Sequence, residues 1–351
     1  MGKFEVWFLD ENQSKYKKYV AKSLKSTPYH MLEYLLAEEK AEKYPIKIFS
    51  YAEGDKFAVF PGVVRRVNDL PFSKEEDIDI YDMITPHEYS GILTNDNRIV
   101  SKLLLNMNEY CAMEKIISVF IRLNPYLAEQ IHCFKETGYE VSCVTKQVMV
   151  RLQQSEDALL QAYDSSTKRN LKRARAKKLS FEIAEKNEIN RDIFIEMYKR
   201  SMEFLNAKQF FYFNNRYFDY LFSCDFVVLC FVKNEVGSII ASAVLMTHSQ
   251  YAYYHLGCFD REYSLLRPMD FLFYSMSTWC KNQGYAILHL GGGSDSLLRF
   301  KRKFSKDNVS YYMIRKVAIE DLYDQICKKW SSYYDVQEVG EFFPRYRINE
   351  K

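Results

Sequence analysis

The chain has 351 residues, 48% of them hydrophobic, which is enough to bury a large core and corresponds to two domains or one large one. Its formal net charge of +3 excludes a surface coated throughout with cations for nucleic acid, so any basic surface is local. No run of eighteen apolar residues occurs and the first residues lack the pattern of a signal peptide, so we expect a cytoplasmic location.

The first half alternates segments typical of strands and of helices. Strands are predicted in KFEVWFL, IKIFSY, KFAVFPGVV, KIISVFIRL and EVSCVTKQVMVRL. Helices are predicted in KYKKYVAKSL, MLEYLLAEEKAEKY, NRIVSKLLLNMNEYCAM and YLAEQIHCFKETGY. The pattern is mixed α/β, and it leaves the order of the strands open.

The second half begins near residue 152 and is predicted to be helical to about residue 223. Short turns between FVVLCFV, SIIASAVLM and YAYYHLGCF predict an antiparallel meander. Pro268 then begins a helix that Gly284 ends, and YAILHL, a glycine loop, a short helix and the strand VSYYMIRKVAI come next. We therefore predict two domains, residues 1–151 and 152–351.

A cationic segment lies early in the second half, where seven of the eleven residues from Lys168 to Lys178 are basic. Leu171 and Ala174 keep one apolar stripe, so the segment predicts an amphipathic helix with a cationic face. Such a face fits a contact with polyphosphate or nucleic acid, and it fits a solvated surface helix equally well.

Three consecutive glycines, Gly291, Gly292 and Gly293, follow a predicted strand and precede a helix. Glycine permits positive φ and lets a ligand approach the backbone, and the N–H groups of the next helix can receive an anion or an oxyanion. Most such triplets are only tight turns. A basic cluster just beyond favours an anionic ligand, and it comprises Arg299, Lys301, Arg302 and Lys303.

Two other segments concentrate polar groups. Arg261 and Arg267 precede the helix that begins at Pro268, where they fit either a phosphate or carboxylate site or surface ion pairs. The segment YDMITPHEYSGIL predicts a turn-like, ligand-binding loop that holds Asp82, His87, Glu88 and Tyr89.

The eight cysteines are scattered, so we expect reduced and mostly buried thiols. The six histidines show no H-x-x-x-H pair, and no metal is expected.

Several of these segments together resemble the FemAB-like branch of the GNAT acyltransferase superfamily. They are RNLKRARAKKL, YYHLGCFDREYSLLRPMDFL, LHLGGGSDSLLRFKRKFS, EFFPRYR, YDMITPHEYSGIL and ISVFIRLNPYL. The resemblance covers most of the chain from about residue 29, and meander, helix, strand, helix, strand is the element order of a GNAT core. It implies an α/β (α+β) fold of tandem GNAT-like domains, each a mixed, largely antiparallel sheet flanked by helices, with a cleft between them.

The branch includes peptidoglycan bridge aminoacyltransferases and acyltransferase-like proteins of surface-polysaccharide synthesis. The resemblance therefore implies transfer of an acyl or aminoacyl group from acyl-CoA or aminoacyl-tRNA to an amine of a cell-envelope precursor. That precursor is a nucleotide-sugar, a surface saccharide or a peptidoglycan precursor. The acyl group, the acceptor and the oligomeric state stay open.

The resemblance also assigns residues. Lys301 matches the lysine of the family's rFKrkF motif and is implied to lie near the reacting carbonyl. Arg169 and Lys172 match the basic helix that approaches the nucleotide part of the acceptor, and Arg122 matches the arginine of a first-domain R-x-x-P motif.

The sequence differs from the family pattern at two points, and both bear on which substrate and donor the resemblance implies. The family's PYGYGG loop is here PHEYSG, with His87, Glu88 and Ser90 in place of a tyrosine and two glycines, so we expect a different substrate at that loop. No charged heptad segment of a coiled-coil arm is present, which favours the polysaccharide-associated branch and leaves the tRNA donor open.

In such a transfer a neutral amine attacks a carbonyl and an oxyanion forms. Lys301 can stabilise either that oxyanion or the donor phosphate, and the amides after Gly291 can assist. The candidates for the base are Asp82, Glu88, Asp295 and His255, beside the substrate's own phosphate or water. The remaining substrate-binding candidates are Tyr89, His255, Arg267, Gly291, Gly292, Gly293 and Arg299. The alternative is a non-catalytic saccharide-, nucleotide- or RNA-binding protein on the same fold, which the altered PHEYSG loop favours.

Overall fold

The computed structural model describes residues 2–41, 44–74, 76–208, 211–336 and 342–349. Within them lie thirteen strands: β1 Lys3–Phe8, β2 Ile46–Glu53, β3 Lys56–Arg66, β4 Tyr81–Ile84, β5 Leu93–Thr94, β6 Ile116–Leu123, β7 Glu140–Arg151, β8 Ser180–Ala184, β9 Val227–Lys233, β10 Ile239–His248, β11 Tyr251–Phe259, β12 Ile287–Gly291 and β13 Asn308–Val317. The same residues form eleven α-helices: α1 Gln13–Lys22, α2 Leu32–Ala41, α3 Val100–Met113, α4 Ile131–Glu136, α5 Glu156–Ala162, α6 Ser165–Ala176, α7 Glu188–Phe204, α8 Asn215–Ser223, α9 Pro268–Asn282, α10 Asp295–Lys301 and α11 Glu320–Tyr334.

The chain packs into two compact units. Unit 1 comprises Met1–Val144 with Tyr311–Lys351, and unit 2 comprises Thr145–Ser310. The predicted division assigned everything after residue 151 to a second domain, whereas the segment from Tyr311 onward packs with unit 1. Ile314 of β13 is buried in the same core as α3. Because the two segments are distant in the chain, local periodicity could not predict that they pack together.

Unit 1 holds strands in the order β1-β2-β3-β4-β6-β13, and β5 pairs with β3. All neighbours on this path are antiparallel except β4 and β6, which are parallel. Helix α3 lies between these two strands in the chain and buries one stripe at helical spacing against the sheet. The residues of that stripe are Val100, Leu103, Leu104, Met107 and Cys111.

Unit 2 holds strands in the order β7-β12-β11-β10-β9-β8. The predicted antiparallel meander of β9, β10 and β11 is confirmed, and β11 is parallel to β12. Helix α9 joins those two strands and packs Leu272 and Met276 into the core that also contains Leu288 and Leu290. Pro268 begins α9, as the sequence predicted.

The two units repeat one pattern. In each, four antiparallel strands lead to a fifth strand that is parallel to the fourth and follows a helix, and a sixth strand is antiparallel to the fifth. The sixth strand of each sheet, β13 or β7, comes directly after the helix that follows the fifth strand of the other unit. The predicted α/β class, with largely antiparallel sheets flanked by helices, is confirmed.

One local prediction was wrong, and another lies partly outside the described residues. The stretch predicted to be helical to residue 223 contains β8, because SFEIA alternates polar and apolar side chains and pairs with β9 after α6 has ended. The predicted helix over 31–44 includes residues 42–43, which lie outside the described residues.

All eight cysteines are free thiols; Cys143 is exposed, Cys327 is half-buried and the other six are buried. No helix among the described residues has both the length and the apolar character that a membrane span requires.

Candidate functional site

The parallel strands of unit 2 separate before they end. Strands β11 and β12 pair over three residues only, Tyr251–Tyr253 with Ile287–His289. Beyond that point β11 stays paired with β10 up to Phe259, although His255 is skipped in the register between them. An extra residue of this kind bends a strand and redirects its side chains, and such irregularities are frequent next to active sites. Strand β12 instead runs into the glycine loop.

The glycine loop has two positions that glycine must occupy. Gly291 has φ 74° and Gly293 has φ 130°, in the region that favours glycine. A Cβ on Gly293 would also lie 2.6 Å from Leu297 Cδ2. Gly292 has no positive φ, but a Cβ there would lie 3.3 Å from Nε2 of the buried Gln147. Sequence reasoning missed Gln147, which comes from a strand far from the loop in the chain.

Lys301 lies against this loop. It ends the seven-residue helix α10, its side chain is only 4% exposed, and its Nζ donates a hydrogen bond of 2.6 Å to the Gly292 carbonyl. The same Nζ lies 5.4 Å from the ring centroid of Tyr254, on the part of β11 that has separated from β12. The structure thus brings the predicted lysine, the glycine loop and the separating strands together.

The other residues predicted near the loop are exposed. Asp295 occupies the first turn of α10, and Arg299 lies further along that helix. Ser294 caps the helix by accepting a hydrogen bond from Leu297 N at 3.4 Å. Arg267 is exposed too, with φ 59°, immediately before α9. These positions leave all three charged side chains accessible to solvent.

His255 is paired with a residue that the sequence did not single out. Its Nε2 lies 2.7 Å from the hydroxyl of Tyr217 on α8, and both side chains are buried. The ring of Phe213 stacks on Tyr217 with centroids 4.3 Å apart. No local pattern could reveal this pair, because 38 residues separate its members.

The basic segment forms α6, whose cations are all exposed while Leu171 and Ala174 are buried. Asn170 donates a hydrogen bond of 3.0 Å to the buried carboxylate of Asp270 in the first turn of α9. Burial raises the pKa of Asp270 above its ordinary value, although Asn170 and two nearby cations oppose the shift. Lys172 lines a groove beside α5, whereas Arg169 lies outside that lining.

Asp82 lies within β4 of unit 1, not in a loop, and is completely buried. One of its carboxylate oxygens accepts a hydrogen bond from Arg65 Nε at 2.7 Å, and the other accepts one from Arg347 Nε at 2.8 Å. Burial by itself would raise the pKa of Asp82, but the two guanidinium groups lower it below its ordinary value. A buried, doubly paired carboxylate of low pKa cannot serve as the general base, which corrects our expectation.

Three predicted residues of unit 1 gather around Tyr311. The ring of Tyr89 meets that of Tyr311 edge to face with centroids 5.6 Å apart. Burial raises the pKa of Tyr311, the charge of Arg122 opposes the rise, and the charge of Glu88 adds to it. Glu88 has φ 62°, and its Oε1 lies 3.3 Å from His87 Nε2. The PHEYSG loop therefore places a carboxylate where the family that the sequence resembles has glycine.

Across the described ranges, no three His, Cys, Asp or Glu side chains come together as a metal site would require.

Residues 162–302 match the family model of the acetyltransferase (GNAT) domain. No curated protein sequence matches the chain. Among solved structures, FemX has a TM-score of 0.70 at 12% identity, covering 92% of this chain and 99% of its own. L-PGS from Bacillus licheniformis has a TM-score of 0.55 at 13% identity, covering 86% and 90%.

A tandem GNAT protein from the clavulanic acid biosynthesis pathway has a TM-score of 0.52 at 9% identity, covering 91% of this chain and 99% of its own. At such low identities these likenesses concern the fold. The resemblance seen in the sequence is confirmed at that level: residues 162–302 carry a GNAT domain, and the chain has the fold of FemX and of a tandem GNAT protein.

Proposed function

We propose that the chain is an acyl- or aminoacyltransferase whose transfer site lies in unit 2, where β11 and β12 separate. The observation that carries the proposal is the buried Lys301 ammonium held against the glycine loop at this point. Both the loop and Lys301 belong to the residues that match the GNAT domain model. Main-chain groups along separating strands can bond an extended carrier chain, as in strand addition.

The acceptor amine, in its neutral form, attacks the donor carbonyl carbon. The carbonyl oxygen takes up the negative charge. The bond from the carbonyl carbon to the donor's sulfur or ribose oxygen then breaks, and the thiolate or alkoxide that leaves takes up the proton that the amine loses. A cation in a water-poor site stabilises an oxyanion far more than it would in bulk water. Lys301 supplies that charge, and its bond to the Gly292 carbonyl fixes the orientation of the neighbouring loop amides. No covalent enzyme intermediate is required.

The donor is acyl-CoA or aminoacyl-tRNA, and the acceptor is an amine on a nucleotide-sugar, a surface saccharide or a peptidoglycan precursor. Likeness in fold to FemX and to L-PGS over most of the chain supports a substrate of this kind. Two cations of α6, Arg169 and Lys172, contact a phosphate-bearing part of a substrate in this proposal. His255 and Asp295 of unit 2 remain the protein's candidates for the base at this site, and the expected location is the cytoplasm.

Two measurements test the proposal. The purified chain is first screened for thermal stabilisation by acyl-CoA, aminoacyl-tRNA and uncharged RNA at low and high salt. It is then incubated with each donor and a panel of amino-sugar nucleotides and peptide amines, and the acceptor mass is measured. A transferase gives an acceptor heavier by one acyl group. Stabilisation by any RNA, steeply weakened by salt, with no product from any donor, would instead establish the binding-protein alternative.

A further inference from the structure

A groove of about 490 Å³ lies between α5 and α6 of unit 2, a volume within the range typical of small-molecule sites. Its lining residues are Asp157, Leu160, Gln161, Lys168, Leu171, Lys172 and Arg175. The floor is apolar: the half-buried Leu160 offers its accessible surface there and packs against the core that contains the buried Leu171. Asp157 is the one acidic residue among the described residues that line it.

The three cations of the groove form one stripe of α6. Lys168, Lys172 and Arg175 are spaced by four and then three residues, so they project from one side of the helix. Arg169 and Arg173 carry the same charge but project from a different side, and they do not line the groove. The sequence presents one continuous basic segment, and the fold divides it into a stripe at the groove and cations directed elsewhere.

Two of these cations are held by neighbouring groups. Lys168 Nζ donates a hydrogen bond of 3.0 Å to the Gln161 carbonyl on α5, across the groove. The Arg175 guanidinium lies 4.8 Å from the ring centroid of Tyr274, whose hydroxyl bonds to Glu156 at the start of α5. Such contacts lower the entropy lost when a long cationic side chain engages an anion.

We propose that this groove binds an amphiphile in which a phosphate group is joined to an apolar chain. The basic stripe matches the phosphate, because lysine and arginine form charge-assisted hydrogen bonds with phosphate oxygens. The leucine floor matches the chain, because covering apolar surface is favourable in proportion to its area. Inorganic phosphate would leave the apolar floor exposed to water, and an uncharged amphiphile would offer no anion to the three cations of the stripe.

This inference deepens the proposed function, from which it takes only the claim that a substrate of the chain carries phosphate. Its test measures binding without any donor or turnover, so failure of the groove and failure of the transfer proposal are separate results. A membrane surface or RNA would attract the exposed cations of α6 by their general charge, including Arg169 and Arg173 outside the groove. The amphiphile selects Lys168, Lys172 and Arg175.

The test measures the affinity of octyl phosphate by titration calorimetry below its micelle concentration, with inorganic phosphate and octyl glucoside in parallel. We expect octyl phosphate to bind at least tenfold more tightly than either. Lys172→Ala and Leu160→Gln should each weaken it about fivefold or more. Arg173→Ala removes the same charge from the same helix outside the groove, and its effect should stay below about twofold. Thermal unfolding verifies that each variant is folded.

Three outcomes would overturn the inference. Equal losses for Lys172→Ala and Arg173→Ala would show that only the general charge of α6 attracts the ligand. Octyl phosphate binding no more tightly than inorganic phosphate, or an unaffected Leu160→Gln variant, would show that the apolar floor contributes nothing. Binding to vesicles containing anionic lipid without binding of monomeric octyl phosphate would assign the helix to a membrane surface.

Discussion

Units 1 and 2 share one strand order and differ where their parallel strands end. In unit 1, backbone hydrogen bonds continue past the end of β4, from Thr85 N to Phe120 O at 3.1 Å and from Ser90 N to Arg122 O at 2.9 Å. In unit 2, pairing of the equivalent strands β11 and β12 stops at Tyr253 and His289. The same topology is therefore closed in unit 1 and open in unit 2, beside the glycine loop.

The loops after the fifth strands explain the difference. In unit 1, the buried Asn124 donates its backbone N–H to the Ser90 carbonyl at 2.7 Å, and its side chain accepts from Tyr126 N at 3.1 Å. Polar groups of Asn124 at the start of the loop thus have hydrogen-bond partners within unit 1. In unit 2 the corresponding loop begins with Gly291 at positive φ, and the buried Lys301 contacts it. In our proposal, this loop after the fifth strand is what allows unit 2 to hold the reacting group.

The largest effect on stability is expected in unit 1, where Arg347 pairs with the buried Asp82. Arg347→Ala leaves a buried carboxylate with one partner fewer, and should lower the free energy of unfolding by about 3 to 5 kcal/mol. Urea denaturation measures it in a Trp279→Phe background, where Trp7 and Trp330 of unit 1 supply the signal. Arg345→Ala is the control, since Arg345 is exposed on the same segment. Equal losses for both variants would contradict the structural role of the pair.

In unit 2 we expect substitutions of Gly292 and Gly293 to lower activity by unequal amounts. Gly293→Ala should lower kcat about tenfold or more, because the positive φ costs a side chain on the order of 1 to 2 kcal/mol and Leu297 must move. Gly292→Ala should be milder, since only the Gln147 side chain must yield. Transfer rates at saturating donor measure both, and a greater loss for Gly292→Ala would refute these roles for the two glycines.

The two buried carboxylates should give opposite dependences on pH. The lowered pKa of Asp82 contributes stability at neutral pH that is lost as pH falls through its folded-state value. The raised pKa of Asp270 contributes stability that is present in acid and is lost as pH rises through its folded-state value. The urea midpoint of unfolding is measured across pH for Asp82→Asn, Asp270→Asn and wild type. The difference in its slope with pH between each variant and wild type gives the contribution of that carboxylate. Slopes that change in the same direction would contradict these assignments.

Local patterns predicted much of the fold, because the signals involved are local. Alternation predicted β9 to β11, Pro268 predicted the start of α9, and the glycine triplet predicted the loop, whereas Lys301 was singled out by the family resemblance. Strand β8 was missed because the basic run before it continued the helical pattern into SFEIA.

Other parts of the site were beyond local reasoning, because they depend on pairs distant in the chain. The sequence predicted that Asp82 lies in a loop, whereas it lies in β4 and pairs with Arg347, 265 residues away. Gln147 reaches Gly292 from a different strand, and Tyr217 reaches His255 from a helix. Periodicity shows which side of an element is buried, and it does not show which partner covers it.

The most direct test of the central claim is single-turnover transfer by wild type, Lys301→Ala and Arg302→Ala, with donor affinity measured separately. Lys301→Ala should lower the transfer rate at least about 10²-fold, or about 2.7 kcal/mol, with a smaller effect on donor affinity. Lys301→Met, which keeps the apolar stem, should show the same loss. Arg302 is exposed and about 100° further round the helix, so Arg302→Ala should retain most of the rate. A Lys301 variant that transfers at the wild-type rate, or greater damage in Arg302→Ala, would contradict a transfer site in unit 2 built on Lys301.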